Sequence, residues 1–266
     1  MDRAATSDHG HGVEAARLGA PRVHLRLTDS TNERARELAT AGAPHGTLVT
    51  AAEQTAGRGR QGRAWAAPAG SALLCSLVLR DPPPLLSLIA GVAVCDAVGG
   101  DARVKWPNDV VREETAQAQA ASAATDDQAH AAHTAASRLA KLAGILVEGR
   151  PQGGWAVLGV GVNVAVPIER LPARARAGAA SLERPRSAIE PLLADLLAAL
   201  ERRMAEPAER VLDAWRSRDA LLGRAISWTG GEGRADGIDD RGRLLVGLGG
   251  GAIATLDAGE VHLRLV

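Results

Sequence analysis

The heptapeptide GRGRQGR, Gly57 to Arg63, decides which kind of fold this chain is expected to adopt. Its three glycines satisfy the G-x-G-x-x-G pattern of a dinucleotide-binding loop, which needs a helix beginning at the third glycine. Pro68 and Gly70 follow closely and prevent such a helix. The pattern also expects an acidic residue about 20 positions later. Asp81 has that spacing, but it lies in a proline-rich turn. The surroundings therefore argue against a doubly wound dinucleotide-binding fold.

The same heptapeptide is open to three other interpretations. It could follow a nucleic-acid backbone, although Gly/Arg arms of that kind usually lie in long low-complexity tails. It could be a solvated turn, although three glycines raise the entropy lost on folding. It could also be a flexible loop whose backbone amides and guanidinium groups close on a small anion. We favour the anion-binding loop as the working hypothesis.

Composition limits the classes of protein to consider. The 266 residues contain 31 Lys plus Arg and 31 Asp plus Glu, so no global positive field attracts nucleic acid or anionic lipid. No window approaches about 18 consecutive apolar residues, and the N-terminus lacks an apolar signal core. We therefore expect a cytoplasmic protein without membrane contact. Cys75 and Cys95 lie in apolar runs without partner ligands, which predicts buried thiols rather than a disulfide or zinc framework.

The order of the expected elements favours an α+β fold with a mixed β-sheet. Strands cluster between a few helices without the regular alternation of parallel α/β folds. The strands are expected at residues 23–27, 47–51, 72–79, a segment ending at 106, 144–148 and 156–164. The helices are expected at residues 32–41, 85–98, 187–204 and 206–220.

Changes in composition divide the chain into parts. Residues 1–20 are polar and Gly-rich, typical of a flexible tail, and residues 21–220 form the expected main domain. Within it, residues 112–138 are dominated by small and polar types that cannot offset the entropy of ordering, so we expect a surface insertion. Residues 221–266 carry short strands separated by glycines, with a turn at 239–242, which predicts a small barrel.

A histidine pair in the insertion has a spacing that a metal ion could use. His130 and His133 lie near two aspartates. A solvated Ala-rich segment places such residues by chance, and no packed structure is expected to support them. We therefore predict no metal site in the protein itself.

The motif KWPND, residues 105–109, offers a fixed cation. Pro107 keeps Trp106 out of the helical conformation, so the strand before it ends there. On that strand Arg103 and Lys105 share one face, because side chains alternate along a strand. Lys105 could hold a reacting phosphate as a point charge, or it could simply protect a sheet edge.

Two further motifs supply polar groups and a bare surface. In DSTNERARELA, residues 29–39, Ser30 and Glu33 match a capping box, so this segment needs no ligand to begin a helix. The same helix start also offers hydroxyls and amides to a neutral polar ligand. In VLGVGVNV, residues 157–164, two glycines and Asn163 share one strand face, which admits either a flat ligand or a packed helix.

Taken in order, these motifs resemble the biotin–protein ligases (biotin–[acetyl-CoA-carboxylase] ligases) of the monofunctional type, without an N-terminal DNA-binding domain. The resemblance runs from about residue 23 to residue 266 and includes the segments AEQ, KLAGILVE, GAASL and GEVHLR. Each motif alone is weak, but the ordered set is highly specific. The resemblance implies a mixed β-sheet catalytic domain with helices on one face, followed by a small C-terminal SH3-like β-barrel.

The resemblance also implies an activity. Members of the family activate biotin with ATP to biotinyl-5′-AMP, release pyrophosphate, and pass biotin to one lysine of a biotin carboxyl carrier protein, an acetyl-CoA carboxylase subunit. ATP and biotin would be substrates, and Mg²⁺ would neutralise the pyrophosphate leaving group. A flexible loop over residues 57–66 would exclude water from the reactive adenylate until the carrier arrives.

The site residues implied by the resemblance fall into three overlapping groups. The catalytic residues would be Lys105, Arg58 and Arg60. The biotin site would be formed by Ser30, Thr31, Asn32, Gln54, Arg58, Gly59, Arg60 and Lys105. The ATP or adenylate site would be formed by Gly57, Arg63, Trp65, Gly159, Gly161, Asn163 and Arg264.

Two departures from the family pattern carry expectations of their own. Roughly 20 residues precede the first expected strand, too few for the helix-turn-helix of bifunctional members, so we predict no binding of operator DNA. The hairpin between WPND and KLAG is longer by about 25 residues, and we expect it to project outward from an intact sheet. The carrier domain is the expected partner, and the chain is expected to be a monomer or a weak homodimer.

Three other functions stay open at this point. A lipoate–protein ligase would use the same catalytic scaffold on a different vitamin. A nucleic-acid-binding module would use the Gly/Arg loop and would associate with DNA or RNA in a salt-sensitive way. A catalytically inactive biotin sensor would bind biotin without releasing pyrophosphate.

Overall fold

The computed structural model describes residues 17–114, 138–150, 153–258 and 264–265. The histidine pair, most of the expected tail and most of the expected insertion lie outside these ranges. Leu18 lies inside them: its side chain is buried, and its backbone N–H donates to Glu201 Oε1 at 2.8 Å. The expected tail boundary at residue 20 is therefore too late, because an apolar side chain before it packs in the core.

The main sheet is mixed, as predicted. Its strands are β1 (Arg22–Leu25), β2 (Leu48–Ala51), β3 (Ala72–Arg80), β4 (Arg103–Lys105), β5 (Asp109–Glu114), β6 (Arg138–Arg150) and β7 (Trp155–Asn163). Within the described residues they lie in the order β1-β2-β3-β7-β6-β5-β4. β1 pairs with β2 in parallel, and the other neighbouring pairs are antiparallel.

Helices cover both faces of this sheet. They are α1 (Thr31–Thr40), α2 (Leu86–Val98), α3 (Ala173–Arg176), α4 (Ile189–Met204) and α5 (Ala208–Arg216). α2 and α4 pack on the face that carries Leu77 and Leu158, whereas α1 packs on the opposite face, where Ala35 meets Val78 and Val157. The expectation that helices lie on one face is therefore wrong, because β3 and β7 are apolar on both sides and each face needs a cover.

The sequences of the two covering helices match their positions. α2 is apolar nearly all round and lies between the sheet and the outer helices, so ten of its residues are buried. α4 is amphipathic: Leu192, Leu196 and Leu200, spaced four apart, face the core. On its opposite side Glu190, Asp195 and Arg202 are exposed. Full burial of each such leucine stabilises the fold by about 1.5–3 kcal/mol.

Strands β5 and β6 are longer than the sequence pattern predicts. β5 was not expected, and β6 was expected only at residues 144–148. Their pairing runs from Glu114 opposite Arg138 to Asp109 opposite Gly144, with a register shift between Val110 and Val111. Residues 112–114 and 138 thus belong to the sheet rather than to the insertion, and an ion pair of 2.6 Å joins Arg138 to Glu114. The expectation of an intact sheet beside the insertion is confirmed.

The C-terminal part forms a second, antiparallel sheet. Its strands are β8 (Ala225–Trp228), β9 (Gly231–Ile238), β10 (Leu244–Gly247), β11 (Ile253–Leu256) and β12 (Arg264–Leu265). Within the described residues their order is β11-β10-β9-β8-β12. The predicted turn at 239–242 is confirmed, since Asp239 Oδ1 accepts the backbone N–H groups of Arg241 and Arg243 at 2.9 Å. Closure of this sheet into an SH3-like barrel stays a prediction.

The turn between β9 and β10 docks on the main sheet. Trp106, which is 2% exposed, donates its indole N–H to the carbonyl oxygen of Gly242 at 3.0 Å. Ile238 and Leu244 on either side of the turn belong to the same apolar core as α2. The main sheet and the C-terminal sheet therefore share one hydrophobic core.

Substitution of Gly242 tests this docking. Gly242 has a φ of +75°, and a Cβ there would lie 2.6 Å from Leu88 Cδ1, whereas Gly223 has the same φ with nothing within 4 Å of its Cβ. We expect Gly223→Ala to lower the free energy of unfolding by about 1–2 kcal/mol through its left-handed backbone. Gly242→Ala should lower the free energy of unfolding by about 1–3 kcal/mol more than Gly223→Ala does, because its methyl group overpacks the core. Urea unfolding of both variants measures the difference. Equal losses in the two variants would show that the turn does not dock closely.

Candidate active site

Twelve of the predicted site residues line one cavity of about 170 Å³ on the α1 face of the main sheet. They come from the start of α1, the loops after β2, the end of β4, and β7. The twelve are Ser30, Thr31, Asn32, Gln54, Arg58, Gly59, Arg60, Arg63, Trp65, Lys105, Gly159 and Gly161. The fold thus brings together residues that lie far apart in the sequence.

One end of the cavity is a polar network at the start of α1. Gln54 Oε1 accepts the backbone N–H of Thr31 at 2.7 Å and lies 3.1 Å from the Thr31 hydroxyl. Asn32 is held on both sides: its Oδ1 accepts from Ser76 Oγ at 2.6 Å, and its Nδ2 donates to Glu148 Oε2 at 2.9 Å. These bonds fix the orientation of the Asn32 amide, so this end suits a neutral ligand with donors and acceptors.

Ser30 does not form the expected capping box. It lies at the N-cap position with an extended backbone, but its side chain makes no cap hydrogen bond. Glu33 pairs instead with Arg36 at 3.1 Å and with Arg58 at 2.9 Å. The capping-box prediction is therefore wrong, because a partner from another loop outcompetes the local bond. The buried hydroxyl of Ser30 lines the cavity.

The Gly/Arg heptapeptide forms a tight loop over the sheet. The N–H of Gly59 donates to the carbonyl of Arg63 at 2.7 Å, and the N–H of Trp65 donates to the carbonyl of Gly57 at 2.8 Å. Gly57 has no room for a side chain, since a Cβ would lie 2.5 Å from the carbonyl oxygen of Trp65. Gly57 therefore allows the loop to close on itself, and it does not line the cavity.

Arginines of the loop reach three different parts of the protein. Arg58 pairs with Glu33 in the first turn of α1. Arg60 donates to Asn108 Oδ1 at 3.2 Å and also to the backbone carbonyl of Ala258, after β11. Burial lowers the pKa of Arg60, although a guanidinium stays charged over the physiological range. The loop is thus anchored to the main sheet and to the C-terminal part.

The other end of the cavity is cationic. Burial lowers the pKa of Lys105, the nearby positive charges of Lys141 and Arg63 lower it further, and Asp109 opposes them. Lys141 Nζ lies 2.5 Å from Asp109 Oδ1. Lys105 lies on the cavity side of β4, as the alternation of its strand predicts, and Val104 and Trp106 point into the core.

Glycines form the floor between the two ends. A Cβ on Gly159 would overlap Asn32 Oδ1, and a Cβ on Gly161 would lie 2.7 Å from the indole of Trp65. Gly144, opposite Gly161 on β6, would contact the same indole at 2.9 Å. The prediction that this strand face is bare is confirmed at both glycines, and the packed-helix alternative applies, because the start of α1 lies on it. The Trp65 indole lies on it too, and a flat ligand there stays a prediction.

Gly57 and Asn163, both predicted for the ATP site, do not line this cavity. Asn163 is 4% exposed and donates its Nδ2 to the carbonyls of Ala180 at 2.9 Å and Lys141 at 3.3 Å. Its side chain thus ties β7 to the segment before α4. Arg264 lies in β12, whose backbone pairs with β8. A direct role of Asn163 or Arg264 towards a ligand stays a prediction.

The site also contains residues that the sequence did not assign. They are Ser76, Asn108, Asp109, Lys141 and Gly144, which line the cavity or bond to residues that do. Lys141 and Gly144 stand in the KLAGILVE segment, and their three-residue spacing gives no sign that both would contact Trp65. Lys141 Nζ lies 5.5 Å from the centre of that ring, within reach of a cation–π interaction.

The two cysteines lie in the interior of the fold. Both are free and buried, as predicted, and burial raises the pKa of Cys75 and of Cys95 to about 12. Across the ranges that the structure describes, no group of three or more His, Cys, Asp or Glu could hold a metal ion. In the same ranges no helix has the length and apolar character needed to cross a membrane.

Residues 24–164 match the biotin/lipoate A/B protein ligase family, and residues 222–264 match the biotin protein ligase C-terminal domain. The chain belongs to the biotin/lipoate A/B protein ligase family. This family membership confirms the resemblance drawn from the motifs. The two matched ranges also coincide with the main sheet and the C-terminal sheet.

Individual members of the family are similar over nearly the whole chain. The biotin–[acetyl-CoA-carboxylase] ligase of Mycobacterium tuberculosis is 34% identical over 262 residues, covering 89% of this chain and 87% of that protein. The ligase of the same name from Paracoccus denitrificans is 33% identical, covering 84% and 92%. The biotin protein ligase from Aquifex aeolicus in complex with biotin and ATP has a similar fold, with a TM-score of 0.71, 24% identity and coverage of 92% and 99%.

Substitution of Gly161 tests the contact between Trp65 and the strand face. The Cβ of Gly161→Ala would displace the indole, so we expect the Trp65 fluorescence to shift to longer wavelength as the ring becomes hydrated. In a Trp65→Phe background the same substitution should leave the spectrum unchanged. Gly178→Ala is the control, because nothing lies within 4 Å of its Cβ. Equal spectra for wild type and Gly161→Ala would contradict this placement of Trp65.

Proposed function

We propose that this chain activates biotin with ATP to biotinyl-5′-AMP, with release of pyrophosphate, and transfers the biotinyl group to a lysine of a biotin carboxyl carrier domain. The family supports the class of activity, an ATP-dependent biotin–protein ligase. One observation carries the assignment of the site: a neutral polar pocket and a cluster of cations lie at opposite ends of one cavity. Biotin has that polarity, with a neutral ring system and a carboxylate tail.

The polar end suits the ring system. A cyclic urea has one carbonyl acceptor and two N–H donors, and Ser30, Thr31, Asn32 and Gln54 provide hydroxyl and amide groups for both. Because Asn32 and Gln54 are already oriented by hydrogen bonds, little side-chain entropy is lost when a ligand binds. These residues are the proposed biotin-binding set.

The cationic end suits the reacting phosphate. The biotin carboxylate attacks the α-phosphorus of ATP, a C–O–P bond forms, and pyrophosphate leaves. Both reactants are anionic, so cations must hold them together and stabilise the transition state. Lys105, Arg60 and Arg63 line this end of the cavity. Each charge-assisted bond contributes about 1.5–3 kcal/mol, so two or three supply several decades of rate.

Magnesium fits this site as a companion of ATP. Mg²⁺ binds through one or two carboxylates together with substrate phosphates. Asp109 is a carboxylate in the lining of the cavity, beside Asn108. Asp109 would therefore hold the ion, which when bound would neutralise charge on the leaving pyrophosphate.

The second step needs a carrier lysine and an adenylate that is shielded from water. The amine attacks the acyl carbon of the mixed anhydride, an amide forms, and AMP leaves. Gly59, Arg60 and Gln61 of the loop line the cavity, so the loop is placed to exclude water from the anhydride before the carrier lysine arrives.

Release of pyrophosphate from ATP tests the proposal directly. The purified chain is incubated with ATP and Mg²⁺, with biotin, with lipoate, or with neither, and a biotin carboxyl carrier domain is then analysed by mass spectrometry. We expect release that requires biotin and a carrier modified at one lysine. Release that requires lipoate would support the lipoate ligase, and biotin binding without release would support the sensor. Association with DNA or RNA that weakens with salt would support the nucleic-acid module.

Alanine substitution of the two lysines separates their roles. If Lys105 stabilises the charge at phosphorus, Lys105→Ala should slow adenylate formation by about 100-fold or more, with the Kd for biotin within a fewfold of wild type. Pre-steady-state pyrophosphate release and calorimetry measure the two quantities. Lys141→Ala is the matched comparison, because Lys141 lines the same cavity. Wild-type rates in Lys105→Ala, together with a large loss in Lys141→Ala, would move the catalytic role to Lys141.

The pH dependence of adenylate formation follows from the lowered pKa of Lys105. The charged form is the useful one, so the rate should fall as pH rises through that pKa, below the value of about 10.4 for an ordinary lysine. In Lys105→Arg the guanidinium stays protonated, and the alkaline fall should move upward in pH even if the maximal rate is lower. An alkaline fall at the same pH in both proteins would assign the titration to another group.

A further inference from the structure

Two carboxylates lie beside the Gly/Arg loop, on the side away from the lysines. Glu33 is in the first turn of α1 and Glu148 is near the end of β6. Their side chains are 28% and 29% exposed, so solvent only partly screens their charges. Arg58 Nη1 lies 2.9 Å from Glu33 Oε2 and 3.9 Å from Glu148 Oε1. The same arginine is therefore attracted by both.

Glu148 differs from Glu33 in that it also contacts the proposed biotin pocket. Its other oxygen, Oε2, accepts the Nδ2–H of Asn32 at 2.9 Å. One carboxylate group thus contacts the proposed biotin pocket with one oxygen and attracts the loop with the other. The contact is possible because β7 carries Gly159, where any Cβ would overlap Asn32.

We propose that Glu148 is a positioning residue that couples the biotin pocket to the Gly/Arg loop. The inference rests on the proposed function and adds a residue to it. When Arg58 lies near Glu148, the carboxylate is held in the orientation that fixes the Asn32 amide, and a ligand on that amide stabilises the same arrangement. Biotin and the loop therefore favour each other, and so do biotin and the nucleotide over which the loop closes.

Two substitutions separate the contacts of Glu148. Glu148→Gln keeps a carbonyl acceptor for Asn32 but removes the charge that attracts Arg58, because glutamine has nearly the same shape as glutamate. Glu33→Gln removes the other carboxylate charge that attracts Arg58, but it leaves the hydrogen bond between Asn32 and Glu148 in place. Glu33→Gln is therefore the matched control.

The experiment measures the Kd of a non-hydrolysable ATP analogue with and without saturating biotin. The ratio of the two constants is the coupling factor, typically about 5–150 in coupled sites. We expect Glu148→Gln to lower this factor by about fivefold or more, with the Kd for biotin alone within about threefold of wild type. Glu33→Gln should keep the factor within about twofold of wild type. A purely structural role of Glu148 would change both affinities and leave their ratio unaltered.

A second variant keeps the test independent of the folding of Glu148→Gln. Arg58→Gln should lower the coupling factor by the same amount, and the double variant should lower it no further. An unchanged factor in Glu148→Gln, an equal loss in Glu33→Gln, or independent losses in the double variant would overturn the coupling role. Absence of biotin-dependent pyrophosphate release in the wild type would instead overturn the proposed function, so the two failures are distinguishable.

Discussion

The close approach of side chains to a bare strand face is the constraint on which the site depends. Gly159 and Gly161 leave the middle of one face of β7 without side chains, and Asn32 and Trp65 lie directly on it. A methyl group at either glycine would displace one of them. Because the start of α1 and the return of the Gly/Arg loop both rest there, the polar pocket and the cationic end are held at a fixed separation.

The alternation of the central strands divides the molecule into a core side and a site side. Val160 and Val162 of β7 pack in the main core, while Gly159 and Gly161 face the cavity. Some groups of the site lie on the Gly/Arg loop, and others lie on strands and on the start of α1. The groups on strands and helices are positioned more precisely, because these elements are supported by the rigid core. The C-terminal sheet joins this arrangement through the docking of Gly242 on Trp106 and through the bond from Arg60 to Ala258.

Charge is balanced over the whole chain but separated within the site. Lysines and arginines surround Asp109 at one end, and the carboxylates of Glu33 and Glu148 flank the loop on the other side. Partial burial makes the electrostatic interactions of these charges stronger than they would be on an open surface. A protein with zero formal net charge can therefore attract a phosphate group in one place.

The sequence by itself determined the mixed sheet, the bare face of β7, the strand end at Trp106 and the ordered motifs of the family, because these depend on residue periodicity and local backbone preference. Only the tertiary structure decided that α1 covers the opposite face, that Glu33 pairs with Arg58 rather than capping its own helix, and that Lys141 lies beside Asp109. Each of these depends on strand register and loop closure between distant segments. Local propensity carries no information about which distant partner a side chain meets.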